Sequence, residues 1–532
     1  MRRVRITLAL VMALVVALAA VGVASAAVKT NSSELRRSVT TAGIMEHLEA
    51  FQAIADANGG TRVAGSPGYD ASVAYVAERL RAAGYDVSLQ EFTFDAFVED
   101  SPSVFERVSP DPKVYSDEDF LTMSYSGSGD VTAPLEAVGG IVIPSPGGSE
   151  SGCSAEDFDG FTEGSIALIQ RGTCPFRQKV LNAQEAGAAG VVIFNEGNED
   201  PADDRIGVVN GTLDPPRVDI PVIGTSFAVG EEFYDLLQAG QDVVVHLKVE
   251  ASVVTTETTN VIADTQAGRD DRTVVVGAHL DSVEEGPGIN DNGSGSATIL
   301  EVAEEMDELG IRPRNQVRFA FWGAEEAGLI GSEYYVSELT RRQIKDIAVN
   351  LNFDMLGSPN YARFVYDGDG SATPDAGPTG SGVVEDVFTD YFASRDLETE
   401  PTAFDGRSDY GPFIDAGIPA GGLFTGAEDI KTEREEEIYG GVAGLAYDPC
   451  YHAACDTLEE EDQPEEVQRI EEAYGEDVIV GNVNTKALDE MSDGVAHATL
   501  AFAQTTSAVG GTEKGSGTPS GDPQYKGPKA LR

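Results

Sequence analysis

The chain has 532 residues, 41% of them hydrophobic, and a formal net charge of −54 from 36 Lys and Arg against 90 Asp and Glu. That balance excludes nucleic acid as a partner, because phosphate contacts need clustered basic side chains. It suits a heavily solvated acidic surface, and the length fits two or three domains.

Residues 1–26 read as a secretory signal, with Arg2, Arg3 and Arg5 ahead of an apolar run over 6–23 and the small triplet Ala24-Ser25-Ala26. A membrane anchor is the rival reading of the same run; the immediate cleavage triplet favours removal. No later run is long and apolar enough to span a bilayer, so the chain is expected to be secreted and extracellular, with no stable membrane anchor. Four cysteines in an exported chain favour disulfides, and four permit three pairings. Cys153–Cys174 and Cys450–Cys455 are the simplest by proximity; thiolate ligation of a metal is the rival.

Residues 40–57 predict a helix with Ile44, Leu48, Phe51 and Ile54 on one face, and 70–83 predict a second that stops near Gly84. Residues 85–94 alternate as a strand. From about 127 to 241 the chain turns rich in Gly, Pro, Asp and short apolar runs. Strands are predicted there over 139–143, 166–170, 190–195 and 220–224, with helices over 177–186 and 230–237: a self-contained β-rich insert. From 253 onward strands (260–263, 274–278, 317–322, 347–353) alternate with helices (296–309, 330–336, 341–344). Such alternation predicts an α/β fold, a mainly parallel sheet flanked by helices. Residues 505–532, rich in Gly, Ser, Thr, Pro and Lys, read as a disordered or removable tail.

The chemistry sits after those strands, where open α/β sheets place their sites. His279 ends one strand, and Asp281 stands two residues on to orient its ring. Asp291 lies in the glycine-rich turn Ile289-Asn290-Asp291-Asn292-Gly293-Ser294-Gly295. The neighbours Glu325 and Glu326 follow a second strand and point different ways, which divides ligand from general base. Asp354 follows a third strand, where a buried carboxylate needs a cation. Tyr451 and His452 lie in the short loop Cys450–Cys455. Two imidazoles and three carboxylates can hold two divalent metals if one carboxylate bridges. The remaining histidines, His47, His246 and His497, fall within helix- or strand-like runs and read as structural.

In that ordered series the chain resembles the secreted bacterial di-zinc aminopeptidases, within the wider zinc aminopeptidase and glutamate carboxypeptidase family, over about residues 260–456. The resemblance implies two Zn2+ per chain on a zinc-exopeptidase, phosphorylase/hydrolase-like fold. It assigns His279, Asp291 and His452 to one zinc and Asp291, Glu326 and Asp354 to the other. It makes Glu325 the general base, Tyr451 the oxyanion donor and Arg407 a neighbour of the substrate's carbonyl and amino end. It also implies a nonprolyl cis bond after Asp291, and a calcium site near the C-terminal helix in which Asp489 and Asp493 match two acidic positions. The insert resembles a protease-associated (PA) domain through Ile166–Phe176 and Ala186–Gly190. The implied organisation is a signal over 1–26, the zinc peptidase domain over 27–125 and 251–504, the PA domain over 126–250 and the tail over 505–532.

The expected reaction is hydrolysis of the N-terminal peptide bond of peptides or proteins by a monomer, with large apolar N-terminal residues preferred by resemblance. A carboxypeptidase or dipeptidase of the same family, a glutaminyl cyclase and a non-catalytic ectodomain are the alternatives.

Overall fold

The computed structural model describes residues 31–510, apart from 117–118, 144–147, 198–204, 214, 462 and 476. The signal reading of residues 1–26 and the tail beyond 510 lie outside the described residues. Three strands of buried apolar residues form the centre: β9 (Arg269–His279), β10 (Asn315–Trp322) and β11 (Ile347–Phe353). All three are parallel, with Phe319 opposite Val276 and Leu351 opposite Val276 on the other side. Parallel strands buried on both faces need near-continuous apolar runs, which is how Val274-Val275-Val276 and Phe319-Ala320-Phe321 read. Strand β14 (Ala420–Phe424) extends the parallel set beside β11.

Helices cover the sheet. Thr40 caps the helix Thr41–Ala57 by accepting Gly43 N–H, Ser66 caps Pro67–Ala82, and Asn484 caps Thr485–Gln504. Together with Gly295–Glu308 they bury Leu48, Phe51, Leu80, Leu300, Met491 and Val495 in the largest core.

A long antiparallel ribbon carries the second region. β1 (Asp86–Ser109) and β8 (Val244–Asp264) pair from Asp86–Asp264 to Ser109–Val244, with register shifts between Glu99 and Ser101 and between Ser101 and Val104. Near its Asp264 end the ribbon joins β10, and near its Val244 end β4 (Gly129–Ala137). From β4 a parallel run continues through β5 (Ile166–Gln170), β6 (Gly190–Phe194) and β7 (Val222–Thr225), and it has its own apolar cores.

Two expectations are corrected. Residues 139–143 form no strand: Gly139 and Gly140 make a turn, with Gly140 at φ 84°, and the strand lies earlier, in β4. The disordered reading of residues 505–532 fails over 505–510, where Ser507–Gly510 forms a helical turn and Val509 is buried in the main core.

Candidate active site

The parallel register sets the strand ends level, with Trp322 opposite His279 and Asn352 opposite Gly277, so the residues that follow share one edge. Beyond Trp322 the chain turns sharply through Gly323, where a Cβ would lie 2.3 Å from the Tyr69 hydroxyl, and Ala324 at φ 56°. This presents Glu325 and Glu326 inward.

His279 Nδ1 lies 3.2 Å from the Asp281 backbone carbonyl, which accepts its N–H and leaves Nε2 facing the cluster. The carbonyl, rather than the expected Asp281 carboxylate, is therefore the hydrogen-bond partner; the carboxylate is 3.7 Å away. It accepts the Glu325 and Glu326 backbone N–H groups at 3.2 and 3.3 Å instead, and so fixes the glutamate turn.

Asp291 is the centre of the cluster. Its Oδ1 is 3.1 Å from His279 Nε2 and its Oδ2 is 3.4 Å from His452 Nε2. Asp354 Oδ1 lies 3.2 Å from His279 Nε2, and Glu326 Oε2 lies 3.1 Å from His452 Nε2. The ligand division implied by resemblance is thereby corrected. The donors group as His279, Asp291 and Asp354 on one side and Asp291, Glu326 and His452 on the other, with Glu325 and Glu326 also converging on His279. Each oxygen of Asp291 faces a different histidine, and each histidine has its own second carboxylate. Glu325 Oε2 stands 3.9 Å from His279 Nε2. The Asp291–Asn292 peptide is cis, as expected.

Burial and mutual repulsion push the Glu325 carboxyl well up, with Asp409, Glu326 and Asp354 adding and His279 opposing. Burial also raises Glu326, against His452. Burial would raise Asp291 too, but hydrogen bonds from His279 and His452 outweigh it and hold that carboxyl below its usual range. Both imidazoles feel the opposite pull: burial disfavours their charge, while Asp354 and Glu325 raise His279, and Tyr451 and Glu326 raise His452.

The disulfide Cys450–Cys455 closes the loop that carries Tyr451 and His452, whose rings stack 3.9 Å apart. The Tyr451 hydroxyl accepts from Arg407 Nη2 at 3.2 Å, which leaves its own proton free to donate. Burial, opposed by His452 and Arg407, pushes the phenol up, so it stays protonated. The second disulfide, Cys153–Cys174, lies in the β5–β7 region.

Several supporting residues escaped sequence reasoning. Asp456 accepts the backbone N–H groups of Asn290 and Asp291 at 2.8 and 2.9 Å, and Asn482 holds it beside Asp448. Ser408 donates to Asp354 Oδ2 at 2.6 Å. Glu428 pairs with Arg407 at 2.8 Å. Buried Arg62 donates to the carbonyls of Leu280, Pro287 and Gly288, the loop joining His279 to Asp291. Asp409, beside this cluster, is pushed up to about 7 by burial first, with Asp354 and Asp281 adding and His279 opposing. Asp456 and Ser408 each adjoin a segment already singled out; adjacency was the only signal they gave.

Asp489 and Asp493 do not fit calcium. Arg36 Nη1 lies 2.8 Å from Asp493 Oδ2, which also accepts the Tyr391 hydroxyl at 2.8 Å, and Asp489 accepts from Thr41 Oγ1 at 3.4 Å. A guanidinium already supplies the cation there.

The main cluster fits a metal on its own chemistry. Asp291, Glu325, Glu326 and Asp354 crowd two imidazoles, and Glu326 Oε1 is buried with no hydrogen-bond partner among the described residues. Buried carboxylates in such excess require cations. Placed at the edge where open α/β sheets bind their ligands, this donor set defines a metal-dependent hydrolase.

The comparisons agree. The model of Peptidase family M28 matches residues 260–476, and that of the PA domain matches residues 131–233. An aminopeptidase of Pseudomonas aeruginosa (strain UCBPP-PA14) is 45% identical over 477 residues, covering 89% of this chain and 83% of that one. A probable leucine aminopeptidase 2 of Aspergillus oryzae is 41% identical over 402 residues, 75% of each chain. The solved aminopeptidase from Aneurinibacillus sp. strain AM-1 matches with a TM-score of 0.67 at 26% identity, covering 88% of this chain and 95% of that one. The chain belongs to Peptidase family M28, is a metallo-aminopeptidase and carries a PA domain.

Proposed function

We propose that this enzyme removes N-terminal residues from peptides with two zinc ions, one held by His279, Asp291 and Asp354 and the other by Asp291, Glu326 and His452. The observation that carries the reading is Asp291, whose two oxygens face two different histidines at 3.1 and 3.4 Å. Nitrogen and carboxylate donors suit zinc. When bound, such a pair lowers the pKa of the attacking water and polarises the scissile carbonyl.

The chain's own groups do the rest. Glu325, beside the cluster and outside both donor triplets, takes the proton of the attacking water at a carboxylate oxygen and delivers it to the leaving amine. Tyr451, oriented by Arg407, donates its hydroxyl proton to the oxyanion that develops on the substrate. Asp281, Asp456 and Ser408 hold the glutamate turn, the Asp291 peptide and Asp354 in place. The acidic surroundings favour a substrate's free α-ammonium group over a free carboxylate. Arg407, which donates to the Tyr451 hydroxyl, is paired with Glu428 and so is a poor carboxylate anchor.

The large apolar preference rests on the resemblance and on the A. oryzae relative described as a leucine aminopeptidase. Export rests on the signal reading and on two disulfides; no helix among the described residues is long and apolar enough to cross a membrane. We place the PA domain at residues 126–250, which bracket the matched 131–233. Leucine p-nitroanilide and its N-acetyl form test the activity: cleavage of the free amine alone is expected. Cleavage of neither, by zinc-loaded protein, overturns it in favour of a carboxypeptidase or dipeptidase.

A further inference from the structure

Exposure is graded across the active site. The side chains of His279, Asp291, Glu325, Glu326 and Asp354 are 1, 7, 9, 10 and 11% exposed, whereas His452 is 27%, Arg407 35% and Glu428 45% exposed. The site therefore opens toward Arg407 and Glu428. An enzyme that takes the first residue of a peptide must let the rest of the chain run out through that open side, past this pair.

The fold fixes Glu428 there. It lies beyond the carboxyl end of β14, on a segment that starts where Thr425 N–H donates to the Met355 carbonyl at 3.0 Å, one residue past Asp354. Asp448 N–H donates to the Ala427 carbonyl at 2.8 Å and Tyr447 N–H to that of Asp429 at 2.9 Å. Glu428 is thus clamped on both sides to the stretch that leads into the Cys450–Cys455 loop. Its two oxygens meet both ends of one guanidinium: Oε1 lies 2.8 Å from Arg407 Nη1, and Oε2 accepts from Nη2 at 3.1 Å. The same Nη2 donates to the Tyr451 hydroxyl at 3.2 Å. Such a fork-to-fork pair holds its geometry better than a single contact.

The charge that a substrate brings to this place depends on its length. A dipeptide ends one residue past the scissile bond, in a carboxylate whose carbon lies about 3–4 Å from the scissile carbon by standard bond lengths. A longer peptide, or an amide, has a neutral group at that position. An unpaired guanidinium beside Tyr451 would attract the carboxylate; Glu428 cancels that charge and is the more exposed member of the pair. We propose that Glu428 selects substrates by length, disfavouring dipeptides and admitting peptides of three or more residues. The inference rests on the reading of Tyr451 as the oxyanion donor of an aminopeptidase, which sets the scissile carbonyl beside Arg407.

Leucyl-glycine and leucyl-glycinamide, which differ only in the terminal charge, test it in the zinc-loaded full-length protein. The ratio of their kcat/KM values, acid over amide, is expected to rise about 10-fold in Glu428→Gln, as removal of one nearby charge does. It should fall in Arg407→Gln, which leaves Glu428 unpaired, and raised salt should narrow both shifts. A ratio cancels any general loss of turnover, and a loosened loop would not move it in opposite directions. The same ratio in wild type and Glu428→Gln, or shifts of the same sign in the two variants, would overturn the proposal. Should Glu428→Gln fail to fold, Arg407→Gln decides by whether the ratio falls. Leucine p-nitroanilide, which has no terminal carboxylate, is the reference. If wild type cleaves it and the ratio does not move, this inference alone falls; if wild type does not cleave it, the aminopeptidase reading falls and the inference with it.

Discussion

The two parallel strand sets of this molecule, β9–β10–β11 and β5–β6–β7, use the same construction and finish it differently. Both are buried apolar strands whose carboxyl ends lie level. At the ends of β5 and β6 the amides Gln170 and Asn195 tie down loop carbonyls, and the buried Glu196 carboxylate accepts the Ser149 backbone N–H at 3.1 Å. Gln170 donates to the carbonyls of Val142 and Glu196, and Asn195 donates to that of Gly207. Beyond β9, β10 and β11 they are His279, Glu325, Glu326 and Asp354, an anionic set with few protein donors. Among the described residues, no group able to hold a metal lies in the β5–β7 region. Layer architecture therefore says little about chemistry; the side chains placed one or two residues past each strand decide it.

Substitutions sharpen that contrast. At the β10 end, Glu325→Gln is expected to lower kcat by about 10²–10⁴-fold with zinc content unchanged, as loss of a general base does; an unaltered kcat removes the assignment. Tyr451→Phe should lower kcat by about 10²-fold with little change in KM, the cost of one oxyanion donor, read from steady-state kinetics. Ser408→Ala, which removes a hydroxyl that donates to Asp354 and accepts from Asn352 Nδ2, should weaken zinc affinity by about 10-fold, measured by competition with a chelator. On the other side, replacing Cys153 and Cys174 together by Ser should cost about 3 kcal/mol of stability, seen in denaturant unfolding, while leaving kcat for a p-nitroanilide unchanged. A large fall in kcat from that pair would break the comparison, because it would place the PA domain within the chemistry.

Much of the active edge was legible because each reactive residue follows an apolar run. Val274–Ala278, Val317–Trp322 and Ile347–Phe353 announce strands, and whatever comes next must lie at their carboxyl ends. The ligand division was not legible: which oxygen of Asp291 faces which histidine depends on the turn Ile289–Ser294 and on the Cys450–Cys455 loop, far apart in sequence. The ribbon strand β1 runs to Ser109, well past residue 94, and its continuation was hidden because Glu99-Asp100-Ser101-Pro102 interrupts the alternation where the register shifts. Gly139–Ile143 carries a strand-like composition, yet Gly140 takes a positive φ there. Asp456 and Arg62 act through backbone atoms of residues distant in the chain, and composition carries no trace of such contacts.

The central claim is that Asp291 joins two metals into one active unit. The most direct test strips the protein of metal and returns zinc stepwise while following leucine p-nitroanilide turnover. The account predicts binding of two zincs per chain, as a paired-metal site requires, and an Asp291→Ala version of the same protein that binds neither tightly and does not turn over. Full activity at a single zinc, or in the chain lacking Asp291, would contradict it.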